Sequence, residues 1–436
     1  MAHPDPHGNA LWRRATRVLA GGPATLSKHA SRFPSTAPQF LVRGAGCRVT
    51  DPAGREYLDT IAALGPILLG YQHPVVDAAV AHQVTQGAAF SLAHPLEVEV
   101  AERLTKCLVS ADLARFCLNG SDATNAAVRL ARAVTGHRHI LWSGYGGFAD
   151  NYIGSTPKHA GILPAVRGST HQFAWGDAAG LAALLDVYGA DLAALLTEVP
   201  PRPWGEPEAL TEQWLQELHD LAAAHDALFV LDEVVTGFRY GLGGAQGRFG
   251  VCPDLTCVGK ALANGYPLAA LCGRADLMAL FEDGNVFMSA THAAHPVSLA
   301  AAKATLETLR TTDALERLAA RGTRLGNGLA ALFADLELPV TLLGNEARLV
   351  CKWHDTEHAT AADLMTLWLS ENLKHGILHG SGAIFPMSCW TEDDVTALLH
   401  AAQDACQVIA AALKTRQVKA ALAGPTIQTV FAARWS

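Results

Sequence analysis

Two residues in the stretch LFVLDEVVTGFRYGLGGAQGRFGVCPDLTCVGKALANGYPLAALCG, residues 228–273, carry side chains suited to one kind of chemistry. Asp232 ends the apolar run 227–231, and Lys260 follows a second short apolar run, 255–258. A strand of that kind delivers its last side chain to the carboxyl edge of an open α/β sheet, where such sheets bind ligands. An amine and a carboxylate held there are what a pyridoxal cofactor requires. The lysine forms a Schiff base, and the carboxylate keeps the pyridine nitrogen protonated so that the ring draws in electrons. The same pair also reads as a strand-end acid beside a solvated loop lysine, and spacing alone does not choose between the two.

The stretch NGSDATNAAVRLARAVTG, residues 119–136, is the second chemical feature. Asn119, Gly120 and Ser121 stand at a strand-to-helix junction, and Ala127, Leu130, Ala131 and Val134 fall on one helical face, predicted to be buried. Ser121 is placed to cap this helix. Its hydroxyl and the free N–H groups of the first turn would then hold a phosphate at the positive end of the helix dipole. Plain capping explains the same residues, so both readings stand.

The surrounding elements must bring these groups together. Residues 1–60 carry closely spaced Pro and Gly and then the turn-punctuated pattern FLVRGAGCRVTDPAGREYLD, which predicts a small antiparallel hairpin pair. From 61 to 305, strand patterns alternate with helical ones: RFCL precedes a helix over 122–134, and DLAALL precedes a helix near 207–225 that leads into ALFVL. That alternation predicts a mostly parallel sheet with crossover helices in a large α/β domain. Residues 306–416 form a smaller α+β domain. It opens on a helix whose stripe is Leu315, Leu318, Gly322, Leu325, Leu329 and Leu332, continues through the strands PVTLL and RLVCKW, and closes on a helix over 392–414. Residues 417–436 form a tail without a recognisable pattern.

The DEVVTGFR and GKALANGYPLAALCG patterns resemble the lysine region of the class III aminotransferases and the glutamate-1-semialdehyde aminomutases, and the likeness runs from about Gly21 to about Asp394. It implies the aspartate-aminotransferase-like fold, pyridoxal 5'-phosphate as cofactor, and Lys260 as both Schiff-base residue and acid/base, with Asp232 on the ring nitrogen. It carries phosphate binding to Gly120 and Ser121. In SGYGGFADNYIG it places Tyr145 on one ring face, although Gly146 stands where the family usually has His. Val234 would pack on the other face, and Glu198, closing ALLTEV, would serve the hydroxyl side of the ring. The stretch SATHAAHPVSLAAAKATLE resembles the family's turn whose threonine reaches the partner subunit's phosphate. That maps to Thr291 and implies a homodimer with shared sites. A helix start capped by Ser289 or Thr291 is the competing reading.

Within this resemblance the reaction is argued from departures. Aminomutases carry an arginine for the substrate carboxylate after the N-terminal Gly-Gly. In GGPATLSKHASRF the corresponding residue is Lys28, a point charge in place of a planar fork. The aminomutase acid expected near Gly382 is missing from HGSGAIFPMSCW. Both departures favour transfer from an amino-acid donor, such as glutamate, to a separate ketone or aldehyde, such as a keto sugar. Trp390 and Trp204 point weakly to a ring-shaped or apolar acceptor. Glutamate-1-semialdehyde 2,1-aminomutase is the alternative reaction, and a catalytically silent cofactor-binding homologue is the non-enzyme reading.

Composition bounds the remainder. The 436 residues, 50% hydrophobic and 17% charged, suffice for a large core and two or three domains. A net charge of −8 without a basic stripe argues against nucleic acid. The absence of a long apolar run or an apolar leader argues against membrane insertion and secretion. Nine scattered cysteines without CxxC pairs fit reduced thiols in a cytoplasmic enzyme. The histidine pairs His292/His295, His354/His358 and His375/His379 show no third and fourth ligand in the sequence, so no metal is expected.

Overall fold

The computed structural model describes residues 6–282 and 284–428. The chain divides into two compact units. One comprises residues up to His73, 201–205 and the chain from Asp313 onward; the other comprises 74–200 and 206–312.

In the first unit, β1 (Arg43–Ala45), β2 (Arg48–Thr50) and β3 (Glu56–Asp59) form an antiparallel meander. The Asp51 carboxylate fixes its second turn by accepting the N–H groups of Ala53 and Arg55 at 2.9 and 3.0 Å. The change-over between units falls at His73–Pro74, beyond the boundary near residue 60 that the pattern predicts. Residues 61–73 stay with the meander because Tyr71 exchanges backbone hydrogen bonds with Gly46, and Leu68 C=O accepts from Ser388 N–H at 2.9 Å.

The second unit is built on seven strands: β4 (Leu113–Cys117), β5 (His139–Ser143), β6 (Thr170–Gln172), β7 (Leu192–Glu198), β8 (Leu228–Glu233), β9 (Leu255–Val258) and β10 (Ala269–Gly273). Their spatial order is β4-β10-β9-β8-β7-β5-β6, and only β10 runs against the others. Every residue of β7, β8, β9 and β10 is buried, as expected for strands covered on both faces. The helix Glu208–Ala224 covers β8 through Trp214, Leu215, Leu218 and Ala222. The helix Gly120–Thr135 lays Ala123, Ala127, Leu130 and Ala131 over β7, β9 and β10, and its alanines permit close approach. Val134, predicted on the buried face, is 36% exposed.

Back in the first unit, the helix Ala314–Asp335 buries Leu318, Gly322, Leu325 and Leu329, with Leu315 and Leu332 half-buried at the margins. Against it lie β11 (Val340–Asn345) and β12 (Arg348–Trp353), an antiparallel pair. β13 (Ile377–Leu378) joins the meander parallel to β3, and β14 (Ala383–Ile384) pairs with β12. Residues 201–205 belong here because Trp204 N–H donates to Leu342 C=O at 2.9 Å. The helices Ala361–Lys374 and Glu392–Lys414 each start in a capping box, Thr360 with Asp363 and Thr391 with Asp394. The tail docks on this unit as far as it is described: Thr426 Oγ1 donates to Asp363 at 2.6 Å, Ile427 is buried, and Gln428 N–H donates to Ser31 C=O at 2.8 Å. Residues 429–436 lie outside the described residues. Among the described residues no helix is long and apolar enough to cross a membrane.

Candidate active site

The parallel strands end together at one edge of the large sheet. In the pairing register Glu198 of β7 stands opposite Asp232 of β8, and Asp232 stands opposite Cys257 of β9. Strand side chains alternate, so the neighbours Asp232 and Glu233 leave opposite faces. Their environments differ accordingly. The Glu233 carboxylate accepts from the N–H groups of Ala245 and Gln246 at 2.6 and 2.9 Å, from Gln246 Nε2 at 3.2 Å and from Thr236 Oγ1 at 2.7 Å. Glu233 is therefore a bracket for the loop that follows β8. Asp232 is buried too but accepts one hydrogen bond, from Val234 N–H at 3.0 Å. Burial, and then the Glu198 carboxylate, push Asp232 up to about 7; the Lys260 ammonium works in the opposite direction.

Lys260 follows Gly259 directly after β9 and opens the short turn Lys260–Ala263. Its φ of 43° lies in the left-handed region, which costs a non-glycine residue roughly 1–2 kcal/mol. Such strain persists only where the surroundings impose it, and it gathers at functional positions. Here Ala261, Leu262 and Ala263 are buried, and the helix Pro296–Thr311 packs on the turn. The lysine itself is half-buried.

The start of the helix Gly120–Thr135 forms a close-fitted corner. Its N-cap is Asn119, whose side chain accepts from Asp122 N–H at 3.1 Å, and not Ser121 as the sequence led us to expect. Ser121 lies inside the first turn, where its Oγ accepts from Phe148 N–H at 3.1 Å. A Cβ on Gly120 would stand 2.7 Å from Val234 Cγ1, and one on Gly147 would strike the Ser121 side chain. The loop 144–147 reaches this corner through glycines at φ 112° (Gly144), 60° (Gly146) and 103° (Gly147). Gly146 has its own reason to lack a side chain, since a Cβ there would enter the ring of Tyr152. Thr124 Oγ1 holds the Gly146 carbonyl at 2.6 Å, and the buried Tyr152 hydroxyl donates to Thr124 C=O at 3.0 Å. Tyr145, between these glycines, is 37% exposed.

The corner, the carboxylate and the lysine fit pyridoxal phosphate. The helix start at this corner offers first-turn N–H groups suited to a phosphate. A buried carboxylate facing a second carboxylate calls for a cationic N–H partner, which a protonated pyridine ring supplies.

The remaining sequence-predicted residues lie elsewhere. Thr291 is exposed in a turn; the helix after it is capped at His295 without a side-chain bond, so neither Ser289 nor Thr291 caps it. Lys28 belongs to the other unit and is exposed. Trp390, also in that unit, is 1% exposed and enclosed in its core, and Trp204 packs on Gly326 with its Nε1 donating to Asn327 at 3.2 Å. Trp390 is thus enclosed, and Trp204 half-buried. Sequence reasoning passed over Arg32, which is buried although its Nε and Nη1 lack hydrogen-bond partners. The only signal was a second cation in the same stretch as Lys28.

Comparison with known proteins agrees with this geometry. Residues 31–345 match the class-III aminotransferase family model. Glutamate-1-semialdehyde 2,1-aminomutase of Roseiflexus castenholzii is 35% identical, over 77% of this chain and 80% of its own. 3-Aminobutyryl-CoA aminotransferase of Cloacimonas acidaminovorans is 31% identical, over 84% and 88%. The Sphingopyxis sp. MTA144 FumI protein, solved in its PLP internal aldimine form, superposes with a TM-score of 0.83 at 29% identity, covering 94% of this chain and 97% of its own. With a lysine and a buried acid at the sheet edge and a family match across most of its length, the chain belongs to the class III aminotransferases and depends on pyridoxal phosphate.

Proposed function

We propose that this aminotransferase moves an amino group between two separate small molecules, from an amino-acid donor such as glutamate to a ketone or aldehyde acceptor such as a keto sugar. The observation that carries the reading is the N-terminal stretch: the position of the aminomutase arginine holds the exposed Lys28, and the residues around Gly382 lack the aminomutase acid.

Bound pyridoxal phosphate supplies the electron sink that makes the donor's α-proton acidic. Lys260 would hold the cofactor aldehyde through its amine, and its Nζ would serve as the acid/base for that proton. Asp232 keeps the ring nitrogen protonated, and Glu198 beside it serves the ring hydroxyl side. Gly120 and Ser121 hold the phosphate with the first-turn N–H groups. Tyr145 and Val234 bound the ring faces. In a homodimer Thr291 meets the phosphate held by the partner subunit; its exposure in a single chain fits that use. Nine free cysteines fit a cytoplasmic setting.

The second reading, glutamate-1-semialdehyde 2,1-aminomutase, is favoured by the 35% identity to an enzyme of that name. The two are separated by supplying glutamate-1-semialdehyde with no donor and following 5-aminolevulinate, beside a screen of amino donors against keto acceptors. We expect poor conversion and at least one faster donor–acceptor pair. Stoichiometric conversion faster than every pair tested would establish the aminomutase.

A further inference from the structure

His375 closes the helix Ala361–Lys374 at its C-cap, and His400 and Asp404 lie one turn apart on the helix Glu392–Lys414. These two helices pack against each other. His375 Nε2 stands 3.2 Å from Asp404 Oδ2, and His400 Nδ1 stands 3.9 Å from the same oxygen. The three ligand atoms all lie within 4.8 Å of one another.

We propose that His375, His400 and Asp404 bind a divalent transition-metal ion, zinc in the first instance. Zinc takes imidazole nitrogen and carboxylate oxygen at about 2.0–2.2 Å, which sets tetrahedral ligand atoms roughly 3.3–3.5 Å apart. The contacts to Asp404 already bracket that separation. The remaining separation, at most 4.8 Å, is within reach of side-chain rotation. Two imidazoles with one carboxylate select zinc or cobalt over calcium or magnesium, which ask for more oxygen ligands. The side chains are 35%, 68% and 43% exposed in the order His375, His400 and Asp404, so solvent ions reach them and water completes the shell. The sequence hid this site because its pairs were sought at short spacing along the chain. Here an i,i+4 His–Asp pair on one helix meets the end of another. The ion would clip the end of Ala361–Lys374 to the middle of Glu392–Lys414.

The test uses the cofactor-loaded protein after chelator treatment and desalting. Zinc is titrated by calorimetry, and cobalt(II) by its visible ligand-field absorbance. We expect one saturable equivalent per chain, with a Tm that climbs with zinc concentration, and loss of that equivalent in both His400→Ala and Asp404→Asn. His400 is mostly exposed and Asp404→Asn is nearly isosteric, so both variants should fold, as thermal melts without metal will report. Absence of saturable binding to the wild type, or the same equivalent retained in both variants, overturns the proposal; retention would assign the metal to other histidines.

Discussion

Glu198 lies directly across from Asp232 in the β7–β8 register, so two carboxylates end neighbouring strands at one level of the sheet. Left to themselves they repel, and burial adds to the cost of ionising Asp232. A cationic ring nitrogen relieves both terms. The pair is thus an arrangement that the cofactor completes.

That relation has a measurable pH signature. Asp232 is raised from 3.8 to about 7 in the cofactor-free fold, so between those values the native state holds a proton that the unfolded chain has released. Its stabilising contribution is complete at the acid end and is lost as pH rises through about 7. Urea midpoints of the apoprotein should fall across this window, and fall less in Asp232→Asn. A wild-type minus variant difference that stays flat would remove the argument. In the holoenzyme the same variant should keep its fold and lose at least about tenfold in kcat, roughly 1.4 kcal/mol of barrier.

Glu233→Ala should behave in the opposite way. It strips the acceptor from two backbone N–H groups, an amide and a hydroxyl, each buried and each costing about 1–3 kcal/mol when left unpaired. The expected outcome is a loss of at least about 3 kcal/mol in denaturant unfolding.

Lys260→Ala should abolish the visible absorbance of lysine-bound cofactor and cut turnover by about 10²–10⁴-fold or more through loss of proton transfer alone. A band that the variant keeps through dialysis, and that borohydride then bleaches, would reassign the Schiff base to another lysine.

Gly146→His, which restores the residue usual in the family, should destabilise this chain. The position is left-handed, and any Cβ meets the Tyr152 ring. A lowered Tm, with a smaller drop in the double variant Gly146→His/Tyr152→Ala than the two single changes add up to, is the check.

Trp390→Ala should cost about 3–5 kcal/mol of stability as a core truncation. In Trp390→Phe the KM for acceptors should stay unchanged, since the ring is enclosed; a large KM change at constant stability would return Trp390 to the acceptor pocket.

What could be read in the sequence followed from strong local signals. The strands ending near Asp232 and preceding Lys260 stood out because continuous apolar runs between turn residues leave little choice of strand. The helix Glu392–Lys414 began where Thr391 and Asp394 form their box. Properties set by distant partners were not legible. Asp232 and Glu233 are indistinguishable as letters, and only the return of Ala245 and Gln246 assigns them different work. Asn119 displaced Ser121 as the cap because both are good capping residues and the helix begins two residues earlier. The burial of Trp390 is another such property, since an aromatic in a loop-rich stretch gives no sign of it. Residues 201–205 belong to the smaller unit through their pairing with β11 and the packing of Trp204 on Gly326, which no local pattern announces.

The parallel pairing of β3 with β13 sets Leu58 beside Ile377. During synthesis the meander at residues 43–59 therefore emerges long before the strand that completes its sheet. Residues 74–312 can meanwhile condense around their own strands. A ribosome stalled before residue 377 would leave the β3 edge without its partner strand, open to pairing with another chain.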